Sequence, residues 1–154
     1  MFNLKETSFM SGILEGVKVL DFGRYIAGPF CGALLADYGA EVIRIERVSG
    51  SEDRYVTPVT KDGQGAMFLQ LNRNKMGLTL NPTKDKGREI VRRLVENSDI
   101  VIANLPEQTL KSMGLDYDDL KLISWHEPGP SIKCILRTFE YHHLAKSYCV
   151  DAQG

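Results

Sequence analysis

Leu14 to Arg47 reads LEGVKVLDFGRYIAGPFCGALLADYGAEVIRIER, and this stretch decides the fold. Val17 to Phe22 is apolar and β-branched with one lysine, which suits a strand buried in a parallel sheet. The turn that follows holds Ala27, Gly28 and Pro29, and proline is tolerated in the first turn of a helix because the N–H it lacks has no partner there. Phe30 to Tyr38 then reads as a short helix, apolar nearly all round and therefore buried, with Gly39 as its left-handed stop. Glu41 to Glu46 alternates Val42, Ile43 and Ile45 with charge, giving a second strand parallel to the first through a right-handed crossover. The turn beyond the first strand thus opens a helix at the edge where open α/β sheets bind their ligands.

At 154 residues, 43% of them apolar and 25% charged, the chain is long enough for one α/β domain with a core and too short for two large ones. Its formal net charge of −1, without a long run of either sign, gives no global field to recruit nucleic acid or an anionic membrane. An anionic ligand would have to be held by local placement. Three scattered cysteines (Cys31, Cys134, Cys149) and an N-terminal stretch without a signal-peptide core suggest a reduced, cytoplasmic protein, with the mitochondrial matrix or peroxisome left open. No apolar run approaches the roughly 20 residues that span a bilayer, so a soluble chain is expected.

Further along, residues 48 to 65 have turn chemistry and no apolar period, which predicts a long surface loop. Ala66 to Leu71 is a short apolar segment leading into Asn72-Arg73-Asn74-Lys75, and Gly77 to Leu80 is a brief strand. From Thr83, a plausible N-cap, to Asn97 a helix places Ile90, Val91, Leu94 and Val95 on one face. Asp99 to Asn104 is the next buried strand, followed by short helices over Glu107 to Met113 and Tyr117 to Ile123. From Ser124 the alternation collapses, apart from a weak strand at Ile132 to Leu136, and all three histidines (His126, His142, His143) fall in this tail.

The strand ends at Phe22, Glu46, Leu80 and Asn104 should converge on one edge, so the residues just past them are the natural ligand set. Arg47 is the sharpest candidate: a guanidinium just past a strand can hold phosphate bidentately or lie over an adenine, or it can form a surface ion pair with Glu46 or Asp53. Gly23, Gly28 and Gly32 do not match the G-x-G-x-x-G spacing of dinucleotide binding, and Arg24 and Tyr25 would crowd a pyrophosphate, although Glu46 sits where a ribose-binding acid would. Asn72 to Lys75 could bind the phosphates of an acyl-CoA or cap a segment and face solvent. Cys134, His142, His143 and Cys149 carry metal-capable atoms without the spacing that organises a zinc site or a Cys/His nucleophile pair, so no metal is expected. Asp21 reads as a polar strand-end residue rather than a base.

Taken together and in order, LDF, AGP, LADYGAEVIRIER, LNRNK, DIVIANLP and MGLDYDDLK resemble the N-terminal region of the class III CoA-transferases, the CaiB/BaiF family. The related alpha-methylacyl-CoA racemases share that scaffold, and the form of Asn72 to Lys75 looks more like the transferase version. The resemblance implies a Rossmann-like parallel sheet with flanking helices, incomplete here, whose strand-end loops hold coenzyme A, and interlocked homodimers in full-length relatives. By the same resemblance, Ile26 and Ala27 match the turn against CoA, Arg47 the arginine near its adenosine phosphate end, Leu80, Asn81, Pro82 and Thr83 the segment along the nucleotide, and Asn104, Leu105 and Pro106 the loop after the next strand. Thr83 and Ser112 stand where some members have lysine and arginine, with Lys84 and Lys111 adjacent.

In that family a single aspartate attacks the acyl-CoA thioester to form an acyl-enzyme anhydride, which CoA thiolate and then a carboxylic acid resolve. That aspartate belongs to a later segment than any matched here, and Asp151 is not in a matching context, so no catalytic residue is assigned. Residues 1–123 are therefore expected to be the N-terminal, CoA-binding segment and residues 124–154 a divergent tail. Such an abrupt switch suggests a frameshift, an alternative end or a gene fragment. A truncated CoA-transferase is the leading reading. A non-catalytic CoA- or nucleotide-binding module, or a fragment of a racemase-like enzyme, is the alternative.

Overall fold

The computed structural model describes residues 12–56 and 58–124, together with two strands at 133–137 and 146–150. In chain order the elements are β1 (Lys18–Asp21), α1 (Ala27–Asp37), β2 (Glu41–Glu46), a 3₁₀ turn (Glu52–Tyr55), α2 (Ala66–Leu71), β3 (Met76–Thr79), α3 (Asp85–Glu96), β4 (Ile100–Ala103), α4 (Glu107–Met113), α5 (Tyr117–Ser124), β5 (Lys133–Arg137) and β6 (Lys146–Val150). The strands form one sheet in the order β3-β2-β1-β4-β5-β6. The first five run parallel, and β6 pairs antiparallel to β5.

Side chains of β1 alternate between the two faces, as a pleated strand requires. Leu20 joins Phe22, Ile45, Val91, Val95, Val101, Leu110, Leu115 and Leu120 in the larger core beneath α3, α4 and α5. Val19 joins Ala36, Val42 and Ile102 in a smaller core beneath α1. The architecture is therefore helix, sheet, helix, the layering expected of a mainly parallel sheet.

The sequence places β2 and α4 at their observed bounds and β1 and β4 within a residue or two. Three readings are corrected. α1 is not buried all round: Gly28, Pro29, Gly32, Ala33 and Ala36 face the sheet, while Phe30, Leu34 and Tyr38 are 46%, 40% and 58% exposed. The sheet-facing side must be narrow because a β-carbon on Gly28 would sit 2.7 Å from the Gly23 Cα, which pushes the large apolar side chains outward. Thr83 does not cap α3: the N-cap is Lys84, and the Thr83 hydroxyl donates instead to Asn81 Oδ1 at 2.7 Å. Nor is the stretch 48 to 65 only a surface loop, since Ser51 and Asp53 are buried.

The strand expected at 132–136 is β5, which continues the parallel order beside β4. In the β5–β6 register Cys134 lies opposite Cys149, whereas His126, His142, His143 and Asp151 lie outside the described residues.

Candidate functional site

The C-terminal ends of β1, β2, β3 and β4 open onto one edge, as the strand order demands. Asn104, just past β4, clamps the turn after β1 from both sides: its Oδ1 accepts the Arg24 N–H at 2.6 Å and its Nδ2 donates to the Arg24 carbonyl at 2.8 Å. Tyr25 is held at φ +60, a left-handed conformation that costs a side-chain-bearing residue about 1–2 kcal/mol. Its N–H donates to Asp53 Oδ2 at 3.1 Å, so the strain is balanced by contacts from β4 and from the 3₁₀ turn. Ile26 and Ala27 are exposed at the top of this turn. No side chain caps the start of α1, so the first-turn N–H groups of Ala27 and Gly28 face the edge, an arrangement suited to a phosphate or a carbonyl oxygen.

Beneath that turn lies a buried ionic network that the sequence reading missed. Arg44 is 2% exposed and donates to Asp53 Oδ2 at 2.7 Å, Glu46 Oε1 at 3.3 Å and the Gly23 carbonyl at 3.1 Å, with Asp21 Oδ2 3.9 Å away. Arg54 grips both oxygens of Glu46, at 2.7 and 2.8 Å. The guanidiniums of Arg44 and Arg54 also approach the Phe68 ring, with Cζ 5.2 and 4.2 Å from its centroid. Lys75 Nζ completes the set at 2.7 Å from Asp21 Oδ2. Arg24 folds its guanidinium back onto the carbonyls of Phe22, Gly23 and Ile45, where burial, with help from the charge of Arg44, lowers its pKa. This inward fold, rather than a glycine-rich cradle, fills the turn.

Burial alone would push the Glu46 carboxyl up, but the hydrogen bond from Arg54 and the charges of Arg44 and Arg54 outweigh it and hold the pKa at about 2 against an ordinary 4.5. A depressed carboxylate contributes stability that is complete above its unfolded pKa and is lost as pH falls through the folded one. Unfolding midpoints in urea are accordingly expected to drop as pH falls from about 5 towards about 2, and E46Q, less stable at neutral pH, should flatten that drop. An E46Q chain with the wild-type pH profile would assign the acid sensitivity elsewhere.

The remaining candidates separate by exposure. Arg47 is exposed and its Nη2 donates to Glu52 Oε1 at 3.2 Å, so its neighbour in the ion pair is neither Glu46 nor Asp53. Leu80 is buried in the larger core and Pro82 is buried, which leaves the backbone of this segment, with exposed Asn81 and Thr83, to meet a ligand. Asn81 Oδ1 accepts from the Thr83 N–H at 3.1 Å and so fixes the turn. Asn104 and Leu105 are half-buried, and Pro106 opens a concavity of about 470 Å³ with Glu107, Gln108 and Lys111. The side chain of Lys111 pairs with Glu107 at 2.9 Å, while the Ser112 carbonyl accepts from Arg88 at 2.9 Å. The Asn72 to Lys75 segment does not face solvent throughout: Arg73 and Asn74 bind Asp37, and the side chain of Lys75 is buried.

Comparison with known proteins adds three findings. The family model described as CoA-transferase family III matches residues 14–124. Among curated proteins, the chain is 39% identical over 132 residues to (R)-2-hydroxy-4-methylpentanoate CoA-transferase of Clostridioides difficile, covering 77% of this chain and 33% of that protein. It is 39% identical over 114 residues to human succinyl-CoA:glutarate CoA-transferase, covering 73% of this chain and 26% of that protein. Among solved structures it is similar to a CAIB/BAIF family protein from Brucella suis (TM-score 0.72, 35% identity, 87% of this chain and 35% of that one). A second is Rv3272 from Mycobacterium tuberculosis (TM-score 0.71, 32% identity, 84% of this chain and 35% of that one). The chain thus spans about a quarter to a third of the length of the curated relatives it matches.

Proposed function

The chain belongs to CoA-transferase family III, and from that membership we propose that its strand-end edge is a coenzyme A site. Ile26 and Ala27, Arg47, the backbone of Leu80, Asn81, Pro82 and Thr83, and Asn104, Leu105 and Pro106 line it. The observation that carries this reading is the uncapped first turn of α1, which follows the Arg24 turn clamped by Asn104 and has its N–H groups at the edge, with exposed Arg47 beyond the neighbouring strand. Backbone donors and one exposed guanidinium are what an anionic, phosphate-bearing ligand requires. Acyl-CoA thioesters are the proposed ligands, and a carboxylic acid is the proposed acceptor in the transfer reaction.

By itself the chain is proposed to bind without turning over. The buried carboxylates Asp21, Glu46 and Asp53 are each gripped by a cation, at 2.7 Å from Lys75, Arg54 and Arg44 respectively. A nucleophilic aspartate must instead stand free beside the thioester. No metal-binding group of three or more acidic, cysteine or histidine residues occurs among the described residues, and no helix among them is long and apolar enough to cross a membrane.

Isothermal titration with CoA tests the site. Arg47→Ala is expected to weaken binding by about 1–3 kcal/mol, or about 5- to 150-fold in Kd, the range for a lost charge-assisted contact. Tight binding unaffected by Arg47→Ala would move the phosphate contacts elsewhere. A folded chain that does not bind CoA would overturn the reading.

A further inference from the structure

Lys75 is separated from Pro29 by 46 positions, yet its ammonium donates to the Pro29 carbonyl at 2.7 Å. The other two protons go to Asp21 Oδ2 at 2.7 Å and Asn72 Oδ1 at 3.1 Å. The side chain is 1% exposed and fits where Gly32 has no β-carbon, since such an atom would lie 3.1 Å from Nζ and 2.9 Å from Asp21 Oδ2. The second oxygen of Asp21 accepts the Gly23 N–H at 2.7 Å. One buried ion pair therefore ties the start of the β1–α1 turn to the first turn of α1. At the far end of α1, Arg73 and Asn74 bind Asp37, so three consecutive residues, 73 to 75, hold the helix at both ends.

A buried ion pair adds little net stability compared with an apolar pair of equal volume. Burial lowers the pKa of Lys75 and the charge and hydrogen bond of Asp21 work against that, as expected of a cation kept in place by its partner. What the pair does secure is a distance, between the end of β1 and the start of α1, that an apolar contact would leave adjustable.

We propose that Lys75 is a positioning residue for the ligand turn: through Asp21 and the Pro29 carbonyl it sets where the N–H groups of Ala27 and Gly28 stand, without touching the ligand. The role rests on the CoA-binding reading above. It is tested with K75M and with D21N/K75M, in which the asparagine still accepts from Gly23 and no unpaired charge is left buried, so that a folded variant is in hand if the single one does not fold. V91A, in the core on the opposite face of the sheet, is the control for stability loss.

Both variants are expected to weaken CoA binding about tenfold or more and to displace the Ala27 and Gly28 amide resonances of the free chain, whereas V91A, melting as early, keeps its affinity within about twofold. Unchanged amide resonances in D21N/K75M, or an affinity loss no greater than that of V91A at equal melting temperature, overturns the proposal. Should the wild-type chain not bind CoA, the binding reading fails on its own. The amide resonances then still decide whether Lys75 places the turn.

Discussion

Replacing Arg44 by methionine is expected to cost the chain a large share of its unfolding free energy. The guanidinium is 2% exposed and serves Asp53, Glu46, the Gly23 carbonyl and Ser51 Oγ, the last at 3.4 Å. Methionine fills much of the volume but returns none of the hydrogen bonds. Asp53, whose Oδ1 has no hydrogen-bond partner even now, would keep only the Tyr25 N–H. Removing one partner from a buried ionic cluster costs about 3–5 kcal/mol, against a total of about 5–15 kcal/mol for a whole domain. Lysine should rescue little, since one ammonium cannot reproduce a planar fork that reaches β1, β2 and the 3₁₀ turn together. Urea unfolding followed by circular dichroism checks this, and an R44M midpoint within about 1 kcal/mol of wild type would show that the network is dispensable.

Gly87→Ala should be the second large loss, and with the sign opposite to the usual one. Within a helix, alanine is ordinarily preferred to glycine by about 1 kcal/mol. Here an added methyl would overlap the Asn81 carbonyl oxygen and come 2.7 Å from the Asn81 carbonyl carbon and 3.3 Å from Pro82 Cα. These are backbone atoms, which cannot swing aside, so α3 and the 81–83 turn must part. Overpacking of this kind costs about 1–3 kcal/mol, and the displaced segment is one proposed to line the nucleotide, so about tenfold weaker CoA binding is expected alongside. Gly77→Ala is the natural comparison, since nothing lies within 4 Å of a β-carbon there. Equal behaviour of the two variants in melting and titration would contradict the close approach.

The contrast between these two residues shows what the sequence could disclose. A strong apolar period marks β2 to the residue, because local pattern and tertiary burial agree there, and α4 is bracketed by Pro106 and the left-handed Gly114. The start of α1 is harder: the sequence predicts Phe30, the structure begins at Ala27, and no side-chain cap marks the place. A signal for the buried cluster was nonetheless present. Arg44 and Glu46 share a side of β2 with Val42, and in a parallel strand covered on both faces two charges on that side require buried counter-charges. What could not be read was their source. Lys75 reaches Asp21 across 54 positions and Asp53 comes from a stretch with turn composition, so only the assembled fold brings them together. The candidate edge was legible for a related reason: strand order fixes where strands end, but not which side chains there turn inward.

Because Asp21, Arg44, Glu46, Asp53, Arg54 and Lys75 share partners in one branched circuit of ion pairs, substitutions among them should not add. Residues so connected deviate from additivity by about 0.5–3 kcal/mol. Drift at these six positions is therefore constrained to concerted replacements, in which a lost charge and its complement change together. A permissive first step is scarce, and the circuit acts as an evolutionary ratchet on the part of the fold that supports the ligand turn.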